Sequence, residues 1–459
     1  MKQAYISLYK KQGIENFAEI LEENGWEILA SYSTFDYLTQ KGINATEIKT
    51  SQYHPTLVVI SSIALGKKIK PISDIKLVIA DIPENLKDEV YNFMLITVAL
   101  KKNIAVMFPD ECMRYADYVK IYGGITEGLK KELNFKKINL ISYLISSKIY
   151  TEFPYLNERD DILTIPFKKI KEMKGENPHQ KAFLYETPFK KEFELIKGDL
   201  NTNHFFDIQK ALDIISEIEM PFTMMINHSN ISAFSWEKDY LIKAEAKTCK
   251  TLVLNFKAEF EILQKALTLK PEMIIARDYD SKILSSNEID IKNLVKITHR
   301  IKPPKEMDIF FTCGYTIIQY KDVEEIKTNT LSNTKIQPHI LDKIKAGLSI
   351  IRHLKTFSAV VFYNKTLVGL SQGNYSSSLA LRRALDETTL NIKNVKITQT
   401  PDRFTVITDG IISADIIDYI SKYLIDVIVS SGLDEISMKK LSEKNIILVV
   451  TEKRHYRHI

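Results

Sequence analysis

Residues 4–31, AYISLYKKQGIENFAEILEENGWEILAS, place two β-rich runs on either side of a helical pattern. Phe17, Ile20 and Leu21 recur at helical spacing, and Gly25 stands where such a helix would end. A strand, a helix and a second strand within about thirty residues favour a parallel sheet, because parallel neighbours need a crossover connection. We therefore predict that the chain opens with an α/β domain.

Further strand candidates continue this alternation along the chain. IKLVIAD and KNIAVMF are apolar runs with a predicted helix between them. Near the C-terminus, ADIIDYISKYL and DEISMKKLSEKN read as helices beside the strand candidates IDVIVSS and IILVVTE. Other short apolar runs are TMMIN, TLVLNF, MIIAR, SAVVFY and FTVIT. The pattern predicts an α/β fold with a domain boundary in the irregular, charged stretch at 155–180.

The length and composition are those of a globular protein with two or more domains. A chain of 459 residues exceeds one ordinary domain of ~100–200 residues. The 63 basic and 58 acidic residues are interspersed, so the net charge of +5 indicates no nucleic-acid partner. Cys112, Cys249 and Cys313 are far apart, which argues against disulfides and zinc ligands. With no signal-peptide core and no apolar run long enough for a membrane, we predict a soluble cytoplasmic protein.

Polar residues at the ends of strand candidates mark a candidate site, because parallel sheets bind ligands there. TMMIN runs into His228, which suits a general base, although the sequence alone favours a surface-loop histidine. Asp409 follows FTVIT, where it could also cap a helix. Arg454 lies in the terminus EKRHYRHI, which could also be a solvated tail, and GENPHQ at 175–180 reads as an Asx or proline turn. These residues alone indicate a two-domain α/β protein able to bind an anionic ligand.

Several of these stretches together resemble one family, the bifunctional purine-biosynthesis enzymes that combine AICAR formyltransferase with IMP cyclohydrolase. GENPHQKAFLY matches the family's Gly-Glu-Asn-Pro-His-Gln signature without a mismatch and is the most specific segment. The opening ISLYKKQG, the LNTNHFFD piece, the VGLSQGNYSS loop and the EKRHYRHI terminus resemble family segments in the same order. The chain is identified as a divergent, short member of this family.

The resemblance implies two regions with different chemistry. Residues 1–165 would form a methylglyoxal-synthase-like domain of parallel-sheet type, which closes the inosine ring in the family. Residues 166–459 would form two cytidine-deaminase-like α/β halves that transfer a formyl group from 10-formyltetrahydrofolate to AICAR. The resemblance also implies a homodimer that binds AICAR- and IMP-type purine nucleotides and folate. The resemblance further implies that the deaminase-like halves need no zinc, which is consistent with the missing ligand pattern, so no metal is expected.

Site residues follow from the same resemblance. His228 matches the family's proton acceptor for the attacking amine, and Asn227 beside it stands where the family has a lysine. The residues expected to bind substrate are Lys11, Thr34, His54, Asn177, His179, Gln180, Asn203, Asp207, Asp409 and Arg454.

The cyclohydrolase region departs from the family pattern. Ser51 replaces a lysine, and Ile82 replaces the catalytic tyrosine. The family's glycine-rich turn falls in VYNFMLI, which has no glycine. Ring closure needs donors for a developing oxyanion, and losing one donor typically costs about 10²–10³ in rate. We therefore predict little or no cyclohydrolase activity.

The transferase region keeps His228 and Arg454 but changes residues around them. Phe357 occupies the place of a family asparagine. Candidates to replace the lost lysine are Lys174, Lys247 and Lys250. Two functions remain open: a divergent AICAR formyltransferase, or a catalytically impaired paralogue that binds purine nucleotide or folate or serves as a dimer partner.

Overall fold

The opening segment forms the parallel strand–helix–strand unit that its pattern predicts. In the computed structural model, strand β1 (Lys2–Ser7) pairs in parallel with β2 (Trp26–Ala30), and helix α1 (Glu15–Glu23) connects them. Phe17 and Leu21 of α1 are fully buried. The chain leaves the helix through Gly25, whose φ of 74° is left-handed and suits glycine. Burial of one helix face on the sheet therefore fixes this unit.

The chain divides into two units. Unit 1 comprises Met1–Ile170 and Tyr185–Pro188, and unit 2 comprises Lys171–Leu184 and Phe189–Ile459. The residues that the structure describes are 2–82, 90–152, 165–177, 179–187, 191–238, 249–285, 290–298, 307–332, 336–392 and 403–458. Within these ranges, no helix has the length and apolar character needed to cross a membrane.

Unit 1 is built on a five-stranded sheet in which each strand runs parallel to its neighbours. The further strands are β3 (Ala45–Glu47), β4 (Ile75–Ala80) and β5 (Ala105–Met107), and the order is β3-β2-β1-β4-β5. The further helices are α2 (Tyr32–Gln40), α3 (Pro55–Leu65), α4 (Val90–Lys101), α5 (Pro109–Cys112), α6 (Ala116–Tyr122) and α7 (Glu127–Glu152). Two apolar cores, one on each face of the sheet, bury its strands. The carboxyl ends of β1 and β4 are therefore neighbours.

Unit 2 is built on a twelve-stranded mixed sheet. Strands β6 (Lys168–Lys174) and β7 (Lys181–Glu186) form a separate hairpin next to it in the chain. The other strands are β8 (Phe193–Lys197), β9 (Thr223–Asn227), β10 (Asn230–Ser235), β11 (Thr251–Ala258), β12 (Met273–Tyr279), β13 (Asn293–Ile297), β14 (Met307–Thr312), β15 (Tyr315–Tyr320), β16 (Thr328–Thr330), β17 (Ala359–Tyr363), β18 (Thr366–Ser371), β19 (Phe404–Thr408), β20 (Ile411–Ile412), β21 (Ile425–Ser430), β22 (Gly432–Leu433) and β23 (Ile447–Thr451). Of these, β14 with β15 and β20 with β22 form separate two-stranded sheets, and the remaining twelve make up the large sheet. The α/β fold class predicted from the sequence is confirmed.

The large sheet contains one pairing pattern twice. β9 pairs antiparallel with β10 and β11, then β11, β12 and β13 run parallel, and β8 closes the edge antiparallel. The strands β17, β18, β19, β21, β23 and β16 repeat these relations in the same sequence. The two halves join where β10 pairs with β18.

The helices of unit 2 cover both faces of this sheet. They are α8 (Thr202–Glu217), α9 (Phe260–Ala266), α10 (Ser281–Ser285), α11 (Pro338–Arg352), α12 (Ser377–Ile392), α13 (Ala414–Ile420) and α14 (Glu435–Ser442). Apolar residues of α8 and α11 share one core that spans both halves. On the other face, α9 packs in a core of the first half, and α12 and α13 pack in a core of the second half.

Gly369 of β18 allows the close approach of α12. A Cβ at this position would lie 2.0 Å from the Ala384 carbonyl oxygen and 2.9 Å from Thr388 Cγ2. Because a helix carbonyl cannot move aside alone, Gly369→Ala should lower the free energy of unfolding by about 1–3 kcal/mol in urea denaturation. Gly432→Ala is the control, since its Cβ would make an ordinary 3.6 Å contact with Ile411. Equal losses in both variants would contradict this packing.

Candidate functional site

His228 lies at the tip of a two-residue hairpin turn between β9 and β10. His228 and Ser229 have φ values of 49° and 60°, so both are left-handed. Turns of this kind match the right-handed twist of the flanking strands. The His228 side chain is exposed. A ligand from solvent can therefore reach the imidazole.

Asp207 of α8 holds this turn from below. It is 4% exposed, and its Oδ1 accepts a hydrogen bond from the Ser229 backbone N–H at 2.7 Å. Its Oδ2 accepts from the Thr251 hydroxyl at 2.6 Å. Because both carboxylate oxygens are engaged by donors of the chain, the structure gives Asp207 contacts that orient the turn carrying His228.

Asn227 connects the turn to the neighbouring strand. Its Oδ1 accepts from the Lys250 backbone N–H at 2.8 Å, and its Nδ2 lies 3.5 Å from the Ser232 hydroxyl. The exposed Lys250 thus stands beside the residue that replaces the family's lysine. Lys174 is exposed at the end of β6, and Lys247 lies outside the described residues.

In the GENPHQ segment, residues 175–177, 179 and 180 lie in the turn between β6 and β7, and Pro178 lies outside the described residues. Gln180 N–H donates to the Asn177 carbonyl at 3.0 Å, and Gln180 Oε1 accepts from Asn177 Nδ2 at 3.1 Å. Asn177, His179 and Gln180 are all exposed. Asn203 Nδ2 donates to the Glu176 carbonyl at 3.4 Å, so the turn contacts the first residues of α8. The motif therefore lies against the helix that carries Asp207.

The start of α8 depends on a neutral histidine. His204 N–H donates to Asn201 Oδ1 at 3.0 Å, and His204 Nδ1 accepts from Asn201 N–H at 3.2 Å. A ring nitrogen that accepts carries no proton. Burial lowers the pKa of His204, which favours this neutral form.

Arg454 and Asp409 meet at the end of β19. Arg454 Nε donates to the Asp409 carbonyl at 2.8 Å, and Nη2 donates to the Thr356 hydroxyl at 2.7 Å. The guanidinium lies 4.5 Å from the Phe357 ring centre and 4.4 Å from that of Tyr456. The Arg454 side chain remains 33% exposed. It is thus held between two rings with part of its charge facing solvent.

The carboxylate of Asp409 is directed inward. Asp409 is 4% exposed, and its Oδ1 accepts from the Ser358 backbone N–H at 2.8 Å. Its Oδ2 lies 3.7 Å from Arg454 Nη2. The structure therefore places the Asp409 carboxylate beside the Arg454 guanidinium.

The basic terminus is ion-paired, so its description as a solvated tail is wrong. His455 Nδ1 lies 2.5 Å from Asp322 Oδ2. Arg457 lies 3.1 Å from Asp213 and 2.9 Å from Asp308. These carboxylates come from distant parts of unit 2. The sequence of the terminus therefore does not predict its ion-pair partners.

In unit 1, the Asp81 carboxylate accepts hydrogen bonds from two backbone N–H groups just after the carboxyl end of β1. The donors are the Tyr9 backbone N–H at 2.8 Å and the Lys10 backbone N–H at 2.8 Å. Strand ends of parallel sheets are where ligands bind, and adjacent backbone N–H groups suit anions. A carboxylate of the chain itself therefore takes the position that the oxygens of an anionic ligand would need.

The three residues predicted to bind substrate in unit 1 also contact the chain. Buried Thr34 accepts from the Leu8 N–H at 3.1 Å, and Lys11 Nζ donates to a carbonyl at 3.5 Å. His54 caps α3 and stacks on Tyr91 with ring centres 4.4 Å apart. Desolvation lowers the pKa of His54. Thr34 thus serves the fold, whereas Lys11 and His54 reach the surface.

Asp81→Asn should weaken the β1–α1 loop. The amide keeps one acceptor but loses the charge that strengthens the bonds to Tyr9 and Lys10. We expect the free energy of unfolding of unit 1 to fall by about 1–2 kcal/mol. The measurement is the hydrogen-exchange rate of the Tyr9 and Lys10 backbone N–H groups, which should rise. The control is Asp74→Asn, where the acid forms an exposed pair with Lys76. Unchanged exchange at Tyr9 and Lys10 would refute the role of Asp81.

Three further residues contact these candidate residues or their near neighbours in the chain. None of them was predicted from the sequence, although Gln372 lies in the family-like VGLSQGNYSS loop. They are Thr251 beside Asp207, Thr356 beside Arg454, and Gln372, whose Nε2 donates to Asn230 Oδ1 at 2.5 Å. Only the tertiary contacts identify them. Within the described ranges, no group of three or more His, Cys, Asp or Glu side chains is placed to hold a metal ion.

Comparison with known proteins identifies the family. A model of the AICARFT/IMPCHase bienzyme family matches residues 105–387. With all of both chains covered, the sequence is 24% identical to the bifunctional purine biosynthesis protein PurH of Petrotoga mobilis and 22% identical to that of Persephonella marina. The PurH of Aquifex aeolicus is 22% identical over 99% of this chain and all of its own. The crystal structure of ForH shows a weaker likeness, with a TM-score of 0.28 and 17% sequence identity. The match covers 32% of this chain and 94% of the ForH chain.

The family model covers well over half of the chain, and the relatives align from end to end. Both findings confirm the resemblance that the GENPHQ segment and the terminal motif indicate. The chain belongs to the AICARFT/IMPCHase bienzyme family.

Proposed function

We propose that this protein is an AICAR formyltransferase of purine biosynthesis that uses 10-formyltetrahydrofolate, with His228 as the proton acceptor. The observation that carries the proposal is the exposed His228, presented on a turn that buried Asp207 holds. A base is needed because the AICAR amine loses a proton as it attacks the formyl carbon. A positioned histidine contributes about 10²–10⁴ to such a step.

The transfer balances without a further reactant. The amine nitrogen bonds to the formyl carbon, the bond from that carbon to N10 of the folate breaks, and N10 gains a proton. His228 accepts the amine proton in this scheme and then releases it, so the proton that N10 gains balances the one that the amine loses. Arg454 would pair with an anionic group of the nucleotide, since its guanidinium is held in place and partly exposed. We propose Lys250 as the replacement for the lost lysine, because its backbone N–H donates to Asn227 Oδ1 and its side chain is exposed.

The ring-closing activity is proposed to be lost from unit 1. Asp81 occupies backbone donors at the strand end, and Ile82 follows it where the family has a catalytic tyrosine. An anionic substrate would have to displace a carboxylate from these N–H groups and would meet its negative charge. We also propose, from the family resemblance, a homodimer in the cytoplasm.

The test uses the purified full chain with AICAR and 10-formyltetrahydrofolate. We expect tetrahydrofolate release and accumulation of formyl-AICAR without IMP, both followed by chromatography. Rapid IMP formation would overturn the loss of ring closure. Absence of tetrahydrofolate release would overturn the transferase.

The alternative, a binding protein without turnover, has its own readout. AICAR or folate at one hundred times its Kd should then stabilise the folded state by about 2.7 kcal/mol, seen as a thermal shift. A thermal shift without turnover would support this alternative.

A further inference from the structure

The two halves of unit 2 meet along the seam between β10 and β18. Ser235 is paired with Thr366, and their hydroxyls lie 3.1 Å apart. The Trp236 backbone N–H donates to the Lys365 carbonyl at 3.1 Å. These contacts lie at the end of β10, whereas the His228 turn precedes its start. They lie far from the turn along β10, so they do not directly fix its position relative to the second half.

Gln372 makes the contact at the start of β10. It follows β18 directly, and its Nε2 donates to Asn230 Oδ1 at 2.5 Å. Asn230 Nδ2 in turn donates to the His228 carbonyl at 3.0 Å. Since Asn230 and Gln372 belong to different halves, one side chain ties the turn of the first half to the second half.

The same side chain also reaches the segment that holds Arg454. Gln372 Oε1 accepts from the Lys355 backbone N–H at 3.2 Å, and Gly373 N–H donates to the Lys355 carbonyl at 2.7 Å. The next residue, Thr356, accepts from Arg454. A continuous run of hydrogen bonds and adjacent residues thus leads from His228 to Arg454.

We propose that Gln372 is a positioning residue that fixes His228 relative to Arg454. It does not need to touch substrate, because it acts through Asn230 and Lys355. Its kinetic consequence rests on the proposed formyl transfer, in which the proton acceptor and the anion-binding group must address one bound nucleotide. Loss of Gln372 should then lower kcat and leave KM nearly unchanged. A small displacement of the base slows proton transfer but removes no contact that binds the substrate.

A set of four variants tests the kinetic part. Gln372→Glu keeps the length and the acceptor for Lys355 but loses the donor to Asn230, and we expect kcat to fall about five- to tenfold. Asn230→Ala should give a similar fall. The double variant, Gln372→Glu with Asn230→Ala, should fall no further than either alone. The control is Gln264→Glu, an exposed residue of α9, which should leave kcat unchanged.

A measurement that needs no turnover tests the placement itself. The His228 ring signals in a ¹H–¹³C spectrum are identified by their loss in His228→Ala. Gln372→Glu should shift these signals, and Gln264→Glu should not. Unshifted signals, or additive losses of kcat in the double variant, would overturn the proposal. If the wild-type protein shows no formyl transfer, the proposed function is wrong. The spectra then still test whether Gln372 positions His228.

Discussion

Asp213→Ala is expected to lower the free energy of unfolding of unit 2 by about 3–5 kcal/mol. Asp213 of α8 is 6% exposed and lies 3.1 Å from Arg457 and 3.5 Å from Lys321. Gln209 Nε2 also donates to it at 2.9 Å. Removing this buried carboxylate leaves the half-buried Lys321 and Arg457 with less negative charge beside them, although Arg457 keeps Asp308, and this costs more than losing an exposed pair. Denaturant unfolding measures the loss.

The effect should depend on pH in a defined direction. Burial alone would raise the pKa of Asp213, but His353, Lys321 and Arg457 hold it below its usual value. A carboxylate whose pKa is lowered by folding stabilises the folded state above the pKa of the unfolded chain, ~3.9 for aspartate. That stabilisation is lost as the pH falls through the lower pKa of the folded state. The difference in free energy of unfolding between wild type and Asp213→Ala should therefore be largest at pH 7 and should decrease below about pH 4.

The control for Asp213 is an exposed pair. Asp199 is paired with Lys171, but its side chain is 83% exposed. Asp199→Ala should change stability little, because water screens such pairs. A comparable loss in both variants, or a gap at pH 7 that stays unchanged into strong acid, would show that the buried charges of Asp213 are not the cause.

His228→Ala should lower kcat for formyl transfer by about 10²–10⁴ while the fold stays intact. The side chain is exposed at a turn, so its loss removes the proposed base without opening a cavity. We expect KM for AICAR to change less than kcat, since a base acts mainly as the amine loses its proton. Steady-state kinetics of tetrahydrofolate release check this.

A matched histidine separates catalysis from surface effects. His339 is exposed at the start of α11, and His339→Ala should keep wild-type turnover. Circular dichroism should show both variants folded. Equal kcat in wild type and His228→Ala would remove His228 from the mechanism, and the proton acceptor would then have to be another group.

The local pattern of the sequence predicted most of the elements that position the site. Each of the runs TMMIN, SAVVFY and FTVIT is a strand, and ADIIDYISKYL contains the helix Ala414–Ile420. Such predictions succeed because burial of one face of a helix or strand requires apolar residues at regular spacing along the chain. The GENPHQ turn also follows from local chemistry, since its amides bond within the turn.

The repeated topology of unit 2 has no such local record. Its two halves share an order of strands, but strand pairing is set by partners far apart in the chain. The turn at His228 was predicted as a strand end, and the return strand beginning at Asn230 was not predicted. A mixed sheet can accept either continuation of TMMIN, and in the structure the return strand β10 pairs with both β9 and β18.

The sequence by itself determined the fold class, the family and the presence of His228 and Arg454 near strand or chain ends. Only the tertiary structure decided which groups hold them. Asp81 binds amides 71 and 72 residues away, Gln372 and Asn230 are 142 residues apart, and Arg457 and Asp213 are 244 apart. A hydrogen bond or ion pair needs two groups within about 3 Å, and the chain brings such distant groups together only after its apolar cores have formed.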